Sequence, residues 1–476
     1  MYNFYFSNNI AIKWFLLIGI LFHSLAIYFS VGYYNADEHY QIIGPLEKLL
    51  EIDTKLTWEF EWKIRPWLQP YFYFFIIKLF SFLNINDPFI LAFLLRLVSS
   101  LIGFISIYVL FIYFKDKLNL DNNFSKFVIF SFWFYAFIHA RTSSENLSIS
   151  MLIIGIILFD KLLSLESKSN KIFLSTTSGL FLGLSIVLKF QIVTSVFFVY
   201  LWFVINRFEL HYIKYILLNS FTIIFVLLLG LLVDSFGYGS FNNTYYQYYY
   251  ANFIAKWFES FGKDPWWYYI KIILQNFFPP ISIIILISIF YFCIKEYKNI
   301  LTYLTLPVLI LLSILTHKEL RFIFPILIFT PFFIGYFFSN TNYFIGKTII
   351  INFILFFNFL FMVVLIIPAS EEIKVYEYIH YNSNENTKIF YHSDNPYIID
   401  DLEPKYYTSF LPKITKFHEG SNISNSLIII REYNFYSTLI KKDNCNLSFS
   451  VYPEFINLNK NWRERKFNWY IVYCKN

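Results

Sequence analysis

Apolar runs of roughly 17–25 residues, the length a helix needs to cross a hydrocarbon layer of about 30 Å, recur from near the N-terminus to about residue 367. They predict spans near 10–32, 88–114, 124–140, 145–163, 171–188, 191–206, 213–233, 269–294, 299–316, 320–338 and 344–367, about eleven in all. Composition agrees, since 57% of the 476 residues are hydrophobic and only 15% charged, against roughly 25% charged in a soluble protein. The run Ile10–Tyr34 is long enough to span and lacks a small-residue cleavage site, so it reads as a retained helix. Tyr71–Leu83 is apolar but short, with Lys78 in its middle, and is expected to lie in the interface.

Charge sets the orientation. With a cytoplasmic N-terminus, the loops holding Lys115 and Lys117, Lys168 and Lys171, Arg207 and Lys214, Lys295 and Lys298, and Lys347 all fall inside, the basic-inside pattern. The formal charge of +6 therefore reflects topology, and no nucleic-acid partner is expected. The segments 33–87 and 234–268 and the turns Arg141–Asn146 and His317–Arg321 then face outward. From Glu371 onward the chain turns polar, with β-like runs at Lys388–His392, Leu427–Arg431 and Trp469–Cys474 between turn-rich stretches. The expected organisation is a transmembrane domain over 1–370 and a small external mixed α/β domain over 371–476. Cys445 and Cys474 lie in that external part and are expected to pair, leaving Cys293 free in a span. The scattered histidines and absent Cys/His spacing predict no metal, and no cofactor motif is present.

The residues fit for chemistry lie in the outer segments. Asp37 and Glu38 follow the first span directly, where a carboxylate can act as a general base above the bilayer; an N-cap of the next helix is the plain alternative. Ile42, Ile43, Leu46, Leu49 and Leu50 beyond them are spaced to lay a helix face on the membrane surface. His317, Lys318, Glu319 and Arg321 crowd four ionisable groups at an outer helix end and breach the basic-inside trend. They would suit a lipid phosphate, or form a snorkelling salt-bridged loop. Asp234 opens a long aromatic loop, ending near Trp266, whose rings would form an interfacial belt, stack on a sugar or line a lipid groove. Arg141 and its following hydroxyls would bond sugar hydroxyls or cap the next helix, and Lys189 would meet a phosphate or snorkel.

Together these segments resemble the lipid-phosphate-mannose-dependent mannosyltransferases of glycosylphosphatidylinositol and N-glycan assembly, which have the GT-C fold. The resemblance rests on Asp37-Glu38 with Gln41 and Glu47, on Thr57-Trp58-Glu59 with Arg65, and on Arg141-Thr142-Ser143-Ser144. It continues through Asp234, Gly239, Asn252, Gly262, Pro265 and Trp266 to His317-Lys318-Glu319, Arg321-Phe322 and Pro325. These elements stand in the family's order over about residues 30–330. One departure is Asn35-Ala36, where the family has His-Pro before the acidic pair.

The resemblance implies an α-helical polytopic membrane protein of GT-C type. It implies a polyprenyl- or dolichyl-phosphate sugar donor, a glycan or glycolipid acceptor and inverting transfer, most simply of mannose, on the non-cytoplasmic side. That side would be the periplasmic face of a bacterial inner membrane or the lumen of the endoplasmic reticulum. Asp37 would be the base and Glu38 its aid. Gln41, Trp58, Glu59, Arg65, Arg141, Lys189, Asp234, His317, Lys318, Glu319 and Arg321 would bind substrate. A transporter or lipid flippase, and a GT-C enzyme for another sugar, are the competing readings. The first would show inverted repeats and midplane-broken helices, and no internal repeat is visible in the sequence.

Overall fold

Helices dominate the chain because its apolar segments have no other way to satisfy their backbone polar groups away from water. The computed structural model describes residues 8–164, 168–341, 346–384, 387–399, 401–418, 421, 423–442, 444–453 and 468–475. Among them, five helices have the length and apolarity to cross a membrane: Ile12–Phe29, Pro88–Phe114, Ser169–Leu188, Leu210–Tyr238 and Lys347–Ile366. Leu320–Leu327 and Thr330–Asn340, bent by 46° at their junction, make a sixth if counted as one. The first residues of the span expected over 344–367 lie outside the described residues. Some helices leave whole apolar faces uncovered. Leu217, Phe221, Ile224 and Leu228, at i, i+4, i+7 and i+11 of one helix, are all exposed, the pattern of a lipid-facing stripe. The protein is an integral membrane protein.

Several of the remaining expected segments are shorter or broken, while Ser144–Leu162 runs unbroken over 19 residues. The run 269–294 parts into Tyr268–Asn276 and Ile281–Lys295, because Pro279 and Pro280 together remove two backbone donors. Leu68–Phe82 has 15 residues, about 22 Å at ~1.5 Å per residue, and falls short of the hydrocarbon thickness. The run 124–140 parts at Phe132, whose extended backbone separates Asn123–Ser131 from Trp133–His139. Buried Asn358, on the helix Lys347–Phe361, closes this break from both sides. Its Oδ1 accepts from the Trp133 N–H at 3.0 Å and its Nδ2 donates to the Ser131 carbonyl at 2.7 Å.

The chain divides into two compact units. Met1–Ile27, Thr57–Phe72 and Arg96–Ile366 form the first; Tyr28–Leu56, Tyr73–Leu95 and Ile367–Asn476 form the second. The second holds a five-stranded sheet of β1 (Lys388–His392), β2 (Thr415–Lys416), β3 (Ser426–Ile430), β4 (Cys445–Ser450) and β5 (Tyr470–Cys474), in the order β2-β1-β3-β5-β4. β1 runs parallel to β2 and β3, while β5 pairs antiparallel with β3 and β4. The sheet and its helices are mixed α/β as expected, and β2 and β4 were not foreseen. Cys445 stands directly across from Cys474, and the two form a disulfide; Cys293 is a free, buried thiol.

The amphipathic stretch after Glu38 departs from expectation. Ile42, Ile43 and Leu46 are buried inside the protein rather than laid on a membrane surface. Glu47 on the same stretch accepts the Tyr406 N–H at 2.7 Å and lies 3.3 Å from His39, so protein groups occupy that face.

Replacing Asn358 with Leu keeps the volume but leaves the Trp133 N–H and Ser131 carbonyl without this partner. Each buried orphan costs about 1–3 kcal/mol, so the thermal midpoint of the detergent-solubilised protein should fall clearly. An unchanged midpoint would show that the break at Phe132 does not depend on Asn358.

Candidate functional site: three paired cations and an acidic turn

The first unit gathers most of the residues picked out by sequence, beginning with the segment after Thr57. Thr57 precedes the short helix Trp58–Glu61, and Lys63 then turns the chain in a left-handed conformation (φ 57°). Arg65 is thereby returned onto Glu59, and its Nη2 donates to Glu59 Oε1. The end of the helix Ile213–Tyr238 fixes this segment. Buried Asp234 accepts the Trp67 N–H on Oδ1 at 2.8 Å, and the Tyr238 hydroxyl donates to the Arg65 carbonyl at 2.7 Å. Asn242 Nδ2 donates to the Lys63 carbonyl at 3.0 Å. A β-carbon at Gly237 would collide with the Trp67 ring, so only glycine lets Trp67 pack there. Asp234, read from sequence as a substrate ligand, therefore braces the stretch of chain that carries Arg65. Trp58 lies against Trp257, at 5.1 Å between rings.

Glu145 and Lys189 form a second pair. Glu145 sits in the first turn of the helix Ser144–Leu162, where a carboxylate complements the helix dipole. Lys189 lies in an extended residue between two helices, and its Nζ bonds Glu145 Oε1. Both side chains are about nine-tenths buried. Burial pushes the Lys189 ammonium below its ordinary range against the opposing pull of Glu145, and nearby Arg321 pushes it the same way.

The third pair is in the turn after Ile314. Arg321 grips Glu319 with two bonds, Nε to Oε2 at 2.5 Å and Nη2 to Oε1 at 3.0 Å, and His317 Nε2 stands 3.1 Å from the same carboxylate. Burial pushes Glu319 upward, but Arg321 and His317 outweigh it and hold the carboxyl below its usual range. Glu319 is thus ionised at neutral pH, and the stability it contributes is lost as pH falls through its lowered pKa. Lys318 is engaged by the protein: its Nζ donates to the carbonyls of Asp264 and Leu315, and its N–H to Asp264 Oδ2 at 3.1 Å. With the Asp264 N–H on the Thr316 carbonyl at 2.8 Å, it ties the loop before Pro265 to the turn.

These pairs feel one another. Lys189 is within electrostatic range of Arg321 and Arg65, and Glu145 within range of Arg321. Tyr248 senses Arg65, Arg321 and Glu59 and bonds Gln191, while Phe190 stacks on it edge-to-face at 5.2 Å. Burial keeps the Tyr248 phenol protonated, so it acts as a donor among the cations. Tyr248 is not singled out by sequence, being hidden in the run Tyr245–Tyr250, and Glu145 is visible there only as part of the turn Arg141–Asn146. Arg141 is buried over the Phe137 ring, and its turn is pinned by Gln69 Nε2 on the Thr142 carbonyl at 2.8 Å.

In the second unit, Asn35 and not Asp37 caps the helix after the first span, its Oδ1 accepting the Asp37 N–H at 2.9 Å. The residue that replaces the family's histidine thus has a capping task. Buried Glu38 folds back to accept the Tyr34 N–H at 3.0 Å, whereas Asp37 is partly exposed. Gln41 is buried in the π-helical turn His39–Ile43, a widened geometry frequent at functional sites. Among the described residues no cluster of three or more His, Cys, Asp or Glu could hold a metal.

A helical membrane scaffold with a small mixed sheet and these paired charges has the polytopic GT-C architecture. ArnT from Cupriavidus metallidurans, solved bound to undecaprenyl phosphate, superposes with a TM-score of 0.57 over 97% of each chain at 9% identity. The chain belongs to the Alg9-like mannosyltransferase family, whose model matches residues 13–410. It is 28% identical over 321 residues to mannosyltransferase APTG1 of Arabidopsis thaliana, covering 65% of this chain and 55% of that one. GPI alpha-1,2-mannosyltransferase 3 of Homo sapiens is 24% identical over 310 residues, covering 63% and 53%. The chain thus spans about half the length of the curated relatives it matches.

The Glu145–Lys189 pair generates a test by double mutation. Lys189→Met leaves a buried carboxylate alone and should cost about 3–5 kcal/mol of stability. Adding Glu145→Gln should recover most of the loss in a thermal melt. No recovery in the double variant would mean that the two side chains are not partners.

Proposed function

We propose that this protein transfers mannose from a polyprenyl- or dolichyl-phosphate carrier to a hydroxyl of a glycan or glycolipid acceptor, on the non-cytoplasmic face. The observation that carries this reading is the grouping of Arg65, Lys189 and Arg321 within electrostatic range, each held by its own carboxylate. Held cations in a water-poor site suit a phosphate that gains charge as it leaves, because they need little reorganisation during the reaction. A soluble nucleotide sugar has no need of an apolar scaffold, whereas a lipid-borne donor does. Family membership and the ArnT fold support the same reading.

In this reaction the acceptor oxygen attacks the anomeric carbon on the face opposite the phosphate. The carbon–oxygen bond to the phosphate breaks, and its electron pair leaves with the polyprenyl phosphate. Asp37 takes the acceptor proton, Arg321 with Lys189 and Arg65 stabilises the departing phosphate, and Tyr248 adds a neutral donor. Asp37 is assigned by its place in the family pattern with Glu38 and Gln41, and its partial exposure distinguishes it from Glu38, whose carboxylate is engaged at Tyr34. Glu38 then orients the turn. Gln41, Trp58, Arg141 and His317 belong to the substrate-binding set, while Asp234 and Lys318 position it. The α/β part over 371–476 shares the active-site face, in the periplasm or the lumen.

Asp37→Asn preserves shape and removes the base, so transfer from a labelled lipid-phosphate mannose should fall by ~10²–10⁴-fold with donor binding retained. Arg321→Ala should instead weaken donor binding and turnover together. Asp37→Asn with near-normal transfer would move the base elsewhere, and Arg321→Ala with unchanged donor affinity would remove the phosphate assignment.

A further inference from the structure

The first unit also gathers tryptophans at one place, and the charge pairs do not explain them. The short helix Trp58–Glu61 sorts its side chains by direction. Glu59 and Phe60 are buried, the first bonded to Arg65 and the second packed on the Trp67 ring at 5.6 Å. Trp58 and Trp62, four residues apart and so on one face, stay 38% and 46% exposed. A second segment comes to meet them. Lys256 takes a left-handed conformation (φ 53°) and turns the chain into the short helix Trp257–Phe261. Trp257 then lies 5.1 Å from Trp58 and 4.2 Å from Trp62 between rings, the latter pair edge-to-face at 81°.

This cluster differs from an interfacial belt. A belt anchors a protein through rings that face headgroups one by one, whereas these three hold one another in fixed orientations. Its surroundings are also charged. Glu61 is exposed on the same turn as Trp62, and the Lys256 and Lys263 side chains are 65% and 70% exposed. Both lysines stand near Glu259, at 3.9 and 3.3 Å, as loose surface pairs. Ionised groups on both segments keep the cluster in water rather than hydrocarbon. Aromatic surface held open on the aqueous side, inside a polar rim, marks a place where a ligand docks.

We propose that Trp58, Trp62 and Trp257 form a stacking platform for a hexose ring of the acceptor glycan. One face of a pyranose carries C–H groups of slight positive charge, and an indole presents a negative face to them. The hydroxyls lie round the edge of the sugar ring, where ionised side chains and water can bond them. Neutral rings give no preference for an anion, so the platform suits an uncharged sugar and not the carrier phosphate. Trp58 directly precedes Glu59, whose carboxylate holds Arg65. A sugar stacked there would therefore sit beside the chain segment that carries one of the three paired cations. This adds Trp62 and Trp257 to Trp58 of the substrate-binding set. The acceptor role rests on the proposed transfer reaction, whereas the stacking of a sugar does not.

The test uses the full chain in a detergent without a sugar headgroup, with α-linked mannobiose as the probe and saturation-transfer NMR as the readout. The intact protein should give a saturable signal, strongest on the C–H protons of one ring face. Trp62→Ala and Trp257→Ala should each weaken binding roughly threefold to tenfold, the worth of one aromatic contact. Trp62→Phe, which keeps a ring in place and leaves the packing on Trp257, should retain most of the affinity. Trp14→Ala removes a tryptophan 60% exposed on the first span and should leave binding unchanged. No saturable signal from the intact protein would overturn the proposal. So would undiminished affinity in Trp62→Ala and Trp257→Ala, or an equal loss in Trp14→Ala. Mannobiose binding can persist when no mannosyl transfer is found, and transfer can persist when mannobiose does not bind, so the platform and the transfer reaction can each fail alone.

Discussion

The constraint on which the rest depends is that polar groups within an apolar interior must find their partners inside the protein, because no water is there to serve them. Asparagines carry much of this duty. Asn358 closes the break at Phe132, Asn146 donates to the carbonyls of His139 and Arg141, and Asn219 joins the Ser175 carbonyl to the Tyr200 hydroxyl. Each allows a helix to break or approach another without leaving a backbone group unmet. The breaks in turn let chain segments end where the charged turns begin.

The same rule shapes the charges. A lone buried ammonium or guanidinium would be costly, so Arg65, Lys189 and Arg321 each come with a carboxylate. This pairing holds the cations before any substrate arrives, which is the condition for electrostatic stabilisation at low reorganisation cost. It also explains why removing one member should cost stability while removing both should not. Asp234, Tyr238 and Asn242 extend the arrangement by holding the backbone that carries Arg65.

Much of the fold was legible because hydropathy is local. Pro88–Phe114 was delimited to the residue, and the boundaries of Ser144–Leu162 and Ile300–Ile314 differ by a residue or two. The breaks were less legible because their cause is remote: the partner of the Trp133 N–H is Asn358. Ile42, Ile43 and Leu46 have the spacing of a membrane-surface helix, yet periodicity cannot say whether lipid or protein covers an apolar face. In the site, Arg65, Lys189 and Arg321 were visible from motif and position. The engagement of Lys318 was not, because it depends on the carbonyls of Asp264 and Leu315. Nor did sequence show that Asn35, and not Asp37, takes the cap.

The central claim is that lipid-linked mannose is the donor and that transfer is a single displacement. Purified protein supplied with a polyprenyl-phosphate mannose of known anomeric configuration, and separately with a nucleotide-activated mannose, tests it most directly, with the anomer of the product read by NMR. Transfer from the lipid carrier alone, with the configuration inverted, is the outcome this account requires. Transfer from the nucleotide sugar without a lipid carrier, or a product of retained configuration, would contradict it.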